Sequence, residues 1–176
     1  MTKTGSFTLL AAAALLATGT ALAQGQFTSL KGDALAAATP QTVQLEGKDL
    51  KITTRNATAV VSPSGGRAFL AIQDGTGYGS EVASQKYTGV IQVQAGKLEV
   101  AGTSLSKGNY GFGWKVPAKG AEGPGEFVLF NQAGAKIGGC ETTRDGELKV
   151  VKPLQVVPAP DGSAKFYYGR HSVELR

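Results

Sequence analysis

The chain has 176 residues, a formal net charge of +5, one Cys and one His. This excludes an intramolecular disulfide, and it excludes zinc or copper centres built on several His and Cys ligands. From Lys31 to Arg176 the basic residues are scattered and mostly alternate with acids, which reads as a solvated surface rather than a polyanion track.

The first 23 residues read as a secretory signal peptide. Lys3 supplies a positive start, Phe7 to Ala17 an apolar run, and Ala21-Leu22-Ala23 a small-residue cleavage site before Gln24. The run is short of the roughly 20 apolar residues a membrane span needs. No Cys follows the cleavage site, so no lipid anchor is expected, and no later stretch reads as a span. Cleavage near Ala23 would leave a periplasmic or extracellular domain. The segment removed carries one Lys and no acid, so the mature charge falls from +5 to +4.

Residues 24–41 form a lead. Asp33 as N-cap, Ala34 to Ala38 and the stop at Pro40 predict one short helix at most. Residues 42–176 read as a single β domain. Strands are predicted over Gln44–Thr54, Thr58–Ser62 and Arg67–Gln73, with Pro63-Ser64-Gly65-Gly66 as a hairpin turn. Phe69 to Ile72 is apolar on both faces, the pattern of a strand covered on both sides. After the glycine-rich loop Asp74–Ser80 come Tyr87–Gln94 and Lys97–Ala101. In Leu105–Val116, the residues Tyr110, Phe112, Trp114 and Val116 share one face of a central strand and should nucleate the core. Glu126–Asn131, Lys136–Cys140, Glu147–Val151, Leu154–Val157, Ala164–Tyr168 and Ser172–Leu175 complete the series. Turn signals about every ten residues point to an all-β fold, an antiparallel β-sandwich or small barrel. The similar segments after Gly47, Gly96 and Gly146 read as hairpin entries rather than as a repeat architecture.

Catalytic constellations are missing. His171 lies in Gly169-Arg170-His171-Ser172, read as a solvated turn rather than a general base. Cys140 reads as a small buried side chain. The loop Asp74 to Gly79 lacks the following helix that phosphate binding needs. Lys107 to Trp114 approaches the basic-aromatic strand of nucleic-acid binders, but Asn109 puts Lys107 off the aromatic face, so no nucleic acid is expected. An acid pair is possible in principle, though no pair is marked by spacing.

Leu105-Ser106-Lys107-Gly108-Asn109-Tyr110 is similar to the Leu-Pro-x-Gly-x-Tyr segment of uncharacterised secreted bacterial β-proteins. Lys152-Pro153-Leu154-Gln155 and Tyr168-Gly169-Arg170 resemble their closing Arg-Pro-Leu and Tyr-x-Gly-Arg segments. The resemblance implies an exported β fold and carries over no site.

The function favoured is an exported, non-enzymatic β domain with a binding or envelope-structural role toward a protein or a glycan, without cofactor. The alternatives are a glycan-binding module and a small secreted hydrolase using a carboxylate pair. No catalytic or metal residues are assigned. Tyr78, Tyr167 and Arg170 are the candidate binding residues, because Tyr and Arg suit exposed recognition surfaces.

Overall fold

The computed structural model describes residues 25–73, 86–117 and 123–176, with backbone alone at 53 and 54. The expected signal peptide and the glycine loop carrying Tyr78 lie outside the described residues.

In chain order the elements are β1 (Thr28–Ser29), α1 (Gly32–Ala38), β2 (Thr42–Leu45), β3 (Lys48–Val61) and β4 (Arg67–Gln73). Then come β5 (Gly89–Ala95), β6 (Leu98–Val100), β7 (Thr103–Leu105), β8 (Gly108–Lys115), β9 (Glu126–Phe130) and β10 (Lys136–Glu141). The chain closes with β11 (Thr143–Arg144), β12 (Leu154–Pro158), β13 (Ala164–Tyr168) and β14 (His171–Leu175). One antiparallel sheet runs β1-β3-β4-β5-β8-β9-β10, with β2 paired to the first half of β3. The other runs β12-β13-β14-β6-β7, with β11 beside β14. Neither closes into a barrel, so the fold is sandwich-like and all-β apart from one helix.

The aromatic face of β8 lies where its alternation placed it. β8 sits between β5 and β9, inside its sheet. Phe112 and Trp114 are fully buried, and Tyr110 and Val116 pack partly buried at the margin of the same core. The Trp114 ring meets Phe127 edge-on at 4.9 Å and Phe166 of the opposite sheet at 5.3 Å. Each such Phe contributes about 1.5–3 kcal/mol through burial. The Trp114 Nε1 ends among these rings without a hydrogen-bond partner.

A second apolar cluster explains Phe69 to Ile72. Ala68, Leu70 and Ile72 face the main core, while Phe69 and Ala71 pack with Val43, Leu45 and Ala38. The β2–β3 hairpin and α1 thus cover the outer face of the first sheet. The hairpin is tied down by Glu46, whose carboxylate accepts from the Lys86 ammonium and, at 2.8 Å, from the Tyr87 hydroxyl.

Several local expectations are corrected. The helix begins two residues earlier, at Gly32, with Lys31 as its cap and Asp33 in its first turn. The predicted break between Thr54 and Thr58 is a register shift within one long β3. The Gly47 and Gly96 segments do enter strands from tight turns, at φ +72° and +65°. Glu147–Val151 is not a strand. The Arg170 Nη1 takes the carbonyls of Asp145, Gly146 and Leu148 at 3.2, 2.9 and 3.2 Å, so they join no ladder.

Two side chains sit otherwise than expected. Cys140 is exposed, not buried. It shares the inward row with Trp114 and Phe127, but β10 is the sheet's edge strand, and a cavity of ≈ 490 Å³ lined by Ala101, Ser163 and Val173 separates Cys140 from the opposite sheet. Partial burial still pushes its thiol up, which disfavours the reactive thiolate. His171 is buried, and it is the first residue of β14 rather than a turn residue. The turn is Gly169-Arg170 alone, since Tyr168 pairs directly with His171 and Gly169 supplies φ +61°.

Candidate functional site

Two sheet edges approach each other on one side of the sandwich. β12 ends the second sheet, and no described strand pairs with its outer side. Opposite it lies the part of β3 displaced by the register shift, with the β1–α1 lead above. Between them opens a groove of ≈ 830 Å³.

Its charge is one-sided. Lys31 at the helix cap, Arg55 on β3 and Lys152 before β12 line it, and among the described residues no Asp or Glu does. All three are exposed, and none joins an ion pair among the described residues. Leu30, Leu35, Ala57 and Pro153 supply apolar surface between the charges. The sequence hid this site. Its cations lie on three separate segments, each mixed with acids in the sequence, and only the fold brings them to one groove.

β12 also offers its backbone. The Ala159 amide donates to the Ser163 carbonyl at 2.9 Å, and the Gly169 amide to the Pro153 carbonyl at 3.2 Å. Given the β12–β13 register, the odd residues of this segment bond to β13. Leu154 and Val156 therefore turn their amides and carbonyls outward. Their side chains are in the core, so edge backbone is what they show the groove. Pro158, the next outward-facing residue, cannot donate and ends the row of donors at this edge.

The sequence-predicted binding residues lie elsewhere. Tyr78 falls outside the described residues. Tyr167 and Arg170 come together, but inward, on the segment after β11. The Tyr167 hydroxyl donates to Asp145 Oδ2 at 2.8 Å, and the ring is 2% exposed. Burial, reinforced by this bond, pushes the phenol up to about 12. The same bond holds the Asp145 carboxyl below the usual range. With the Arg170 clamp on three carbonyls, the pair folds residues 145–148 down over β13.

The buried His171 faces Thr142, its Nδ1 lying 3.0 Å from the hydroxyl oxygen. That oxygen already accepts the Gly125 amide at 2.9 Å, so the hydroxyl proton is free for a neutral imidazole. Burial lowers the His171 pKa, and the Arg144 charge adds to the effect. Among the described residues, no carboxylate orients this ring in the manner of a triad.

One pair of acids does converge. Glu126 and Glu141 are directly opposite on β9 and β10. The neighbouring Thr142–Gly125 pair is hydrogen-bonded, so theirs is the close, non-bonded kind. Lys115, opposite Glu126 on its other side, reaches it at 3.2 Å. The row borders a second groove of ≈ 760 Å³. Among the described residues, no group of three or more His, Cys, Asp or Glu is placed to hold a metal ion. No described helix is long and apolar enough to cross a membrane.

No family model, curated protein or solved structure matches the chain, so the resemblance to secreted bacterial β-proteins rests on its quoted segments alone.

Proposed function

We propose that this chain is an exported, non-enzymatic binding domain whose contact surface is the groove between β3 and β12. The observation that carries this reading is the groove's composition: three unpaired cations, no acid, and apolar surface between them. Charges left without partners on an apolar ground suit an anionic ligand, and a one-sided field raises encounter rates. The Phe112 and Trp114 rings are buried, so the central aromatic row offers no platform for stacking a sugar. The polar clusters around His171 and Asp145 are engaged within the chain, which supports a scaffold more than a reaction centre.

The test is retention of the purified chain on immobilised polyglutamate and on heparin. Reversing Lys31, Arg55 and Lys152 to Glu should abolish retention with the circular dichroism unchanged. The same reversal at the exposed Lys48, Lys107 and Lys149 should weaken it far less. Equal loss from both sets would leave net charge alone as the cause and defeat the reading.

The Glu126–Glu141 pair favours a second reading, a hydrolase using two carboxylates, since glycoside hydrolysis needs two acids side by side. It requires turnover of chromogenic glycosides that vanishes in both Glu126→Gln and Glu141→Gln.

A further inference from the structure

We infer that the groove receives an extended acidic segment of a partner polypeptide, which pairs with the open edge of β12. The inference rests on the groove being the binding surface and adds the chemistry of its occupant.

Three features select a polypeptide among anions. The outward amides and carbonyls of Leu154 and Val156 are spaced as a strand ladder, and only another peptide backbone matches donors and acceptors at that interval. Exposed apolar side chains adjoin the edge: Val150 and Val151 beside Lys152, and Val157 on β12 itself. The Gln155 side chain holds Val150 there through its carbonyl at 2.9 Å. Val157 lies on the face of β12 away from the core while the cations line the groove, so a paired strand would set one row of side chains against apolar surface and the other against cations, as alternating apolar and acidic residues do. No side chain lining the groove offers an exposed aromatic face on which a base would stack; Phe27, its one ring, is 3% exposed and belongs to the core. Pro158 limits the register, because it faces outward like Leu154 and Val156 but has no amide to donate.

The probe is a rhodamine-labelled peptide of alternating Glu and Val, followed by fluorescence anisotropy with the full chain. Binding should be saturable and weakened by salt. It should fall at least about tenfold on reversing Lys31, Arg55 and Lys152 to Glu, and hold within about twofold for the Lys48, Lys107 and Lys149 reversal. The same peptide N-methylated at alternate residues, on the edge that would face β12, should bind at least about tenfold more weakly. Equal binding of the methylated peptide overturns strand pairing. Groove-dependent binding of heparin or an oligonucleotide without the peptide overturns the occupant and leaves the groove reading standing. Failure of every anion to bind overturns both.

Discussion

Tyr167, Tyr168, Arg170 and His171 flank Gly169 in one short stretch, and the hairpin turn sends them to different jobs. Tyr167 and Arg170 were legible as a Tyr–Arg pair, but not their target. Asp145 is distant in sequence, and nothing local announces that the segment after it folds back. The stability–pH profile should fall on both sides. The His171 pKa is lowered in the fold, so the stability it withholds from the protonated state is full above about pH 6.5 and is lost as pH falls. Tyr167 is raised to about 12, so its contribution is full below about pH 10 and is lost as pH rises through about 12. Urea titrations across pH should show His171→Gln flattening the limb that falls below about pH 6.5. Tyr167→Phe should lessen the alkaline limb without removing it, because Tyr87 and Tyr168 are raised as well. At neutral pH, Arg170→Ala should cost about 1–2 kcal/mol in the same titrations, since three carbonyls lose a charged donor.

Strands were readable where their two faces differ. In β8 the period of two placed Phe112 and Trp114 inward, because only one face carries rings. In β4 the absence of alternation correctly implied two covers, though not which elements supply them. The failures share a cause. Glu147–Val151 alternates like a half-exposed strand, but the Arg170 and Gln155 side chains take its Leu148 and Val150 carbonyls before a neighbouring strand can. Cys140 alternates inward and still sees solvent, because periodicity reports the face of a strand and not the extent of the layer opposite. Close packing between strands also has a direct test. A methyl at Gly89 would strike the Ala71 carbonyl on one side and the Phe112 ring on the other. Gly89→Ala should therefore destabilise the domain by about 2 kcal/mol or more, read from the urea midpoint. Gly146→Ala, where a Cβ meets nothing within 4 Å, should be within about 0.5 kcal/mol of the parent.

The whole molecule is a two-sheet core with a hairpin and a helix laid over one outer face. That class was legible from turn spacing and alternation. The groove was not, since it exists only where the lead, the shifted half of β3 and the edge of β12 meet. Edge strands of a sandwich are a hazard unless blunted. Here the β12 edge is flanked by prolines and cations, which discourage pairing with another copy of this basic chain while leaving pairing with an acidic one favourable. The most direct measurement is a set of amide chemical shifts for the ¹⁵N-labelled chain, titrated with the Glu-Val peptide. The account predicts changes concentrated at Leu30, Lys31, Ala57, Leu154 and Val156, with the Leu154 and Val156 amides gaining protection from hydrogen exchange. Changes centred on the Glu126–Glu141 row, or on no continuous surface, would contradict it.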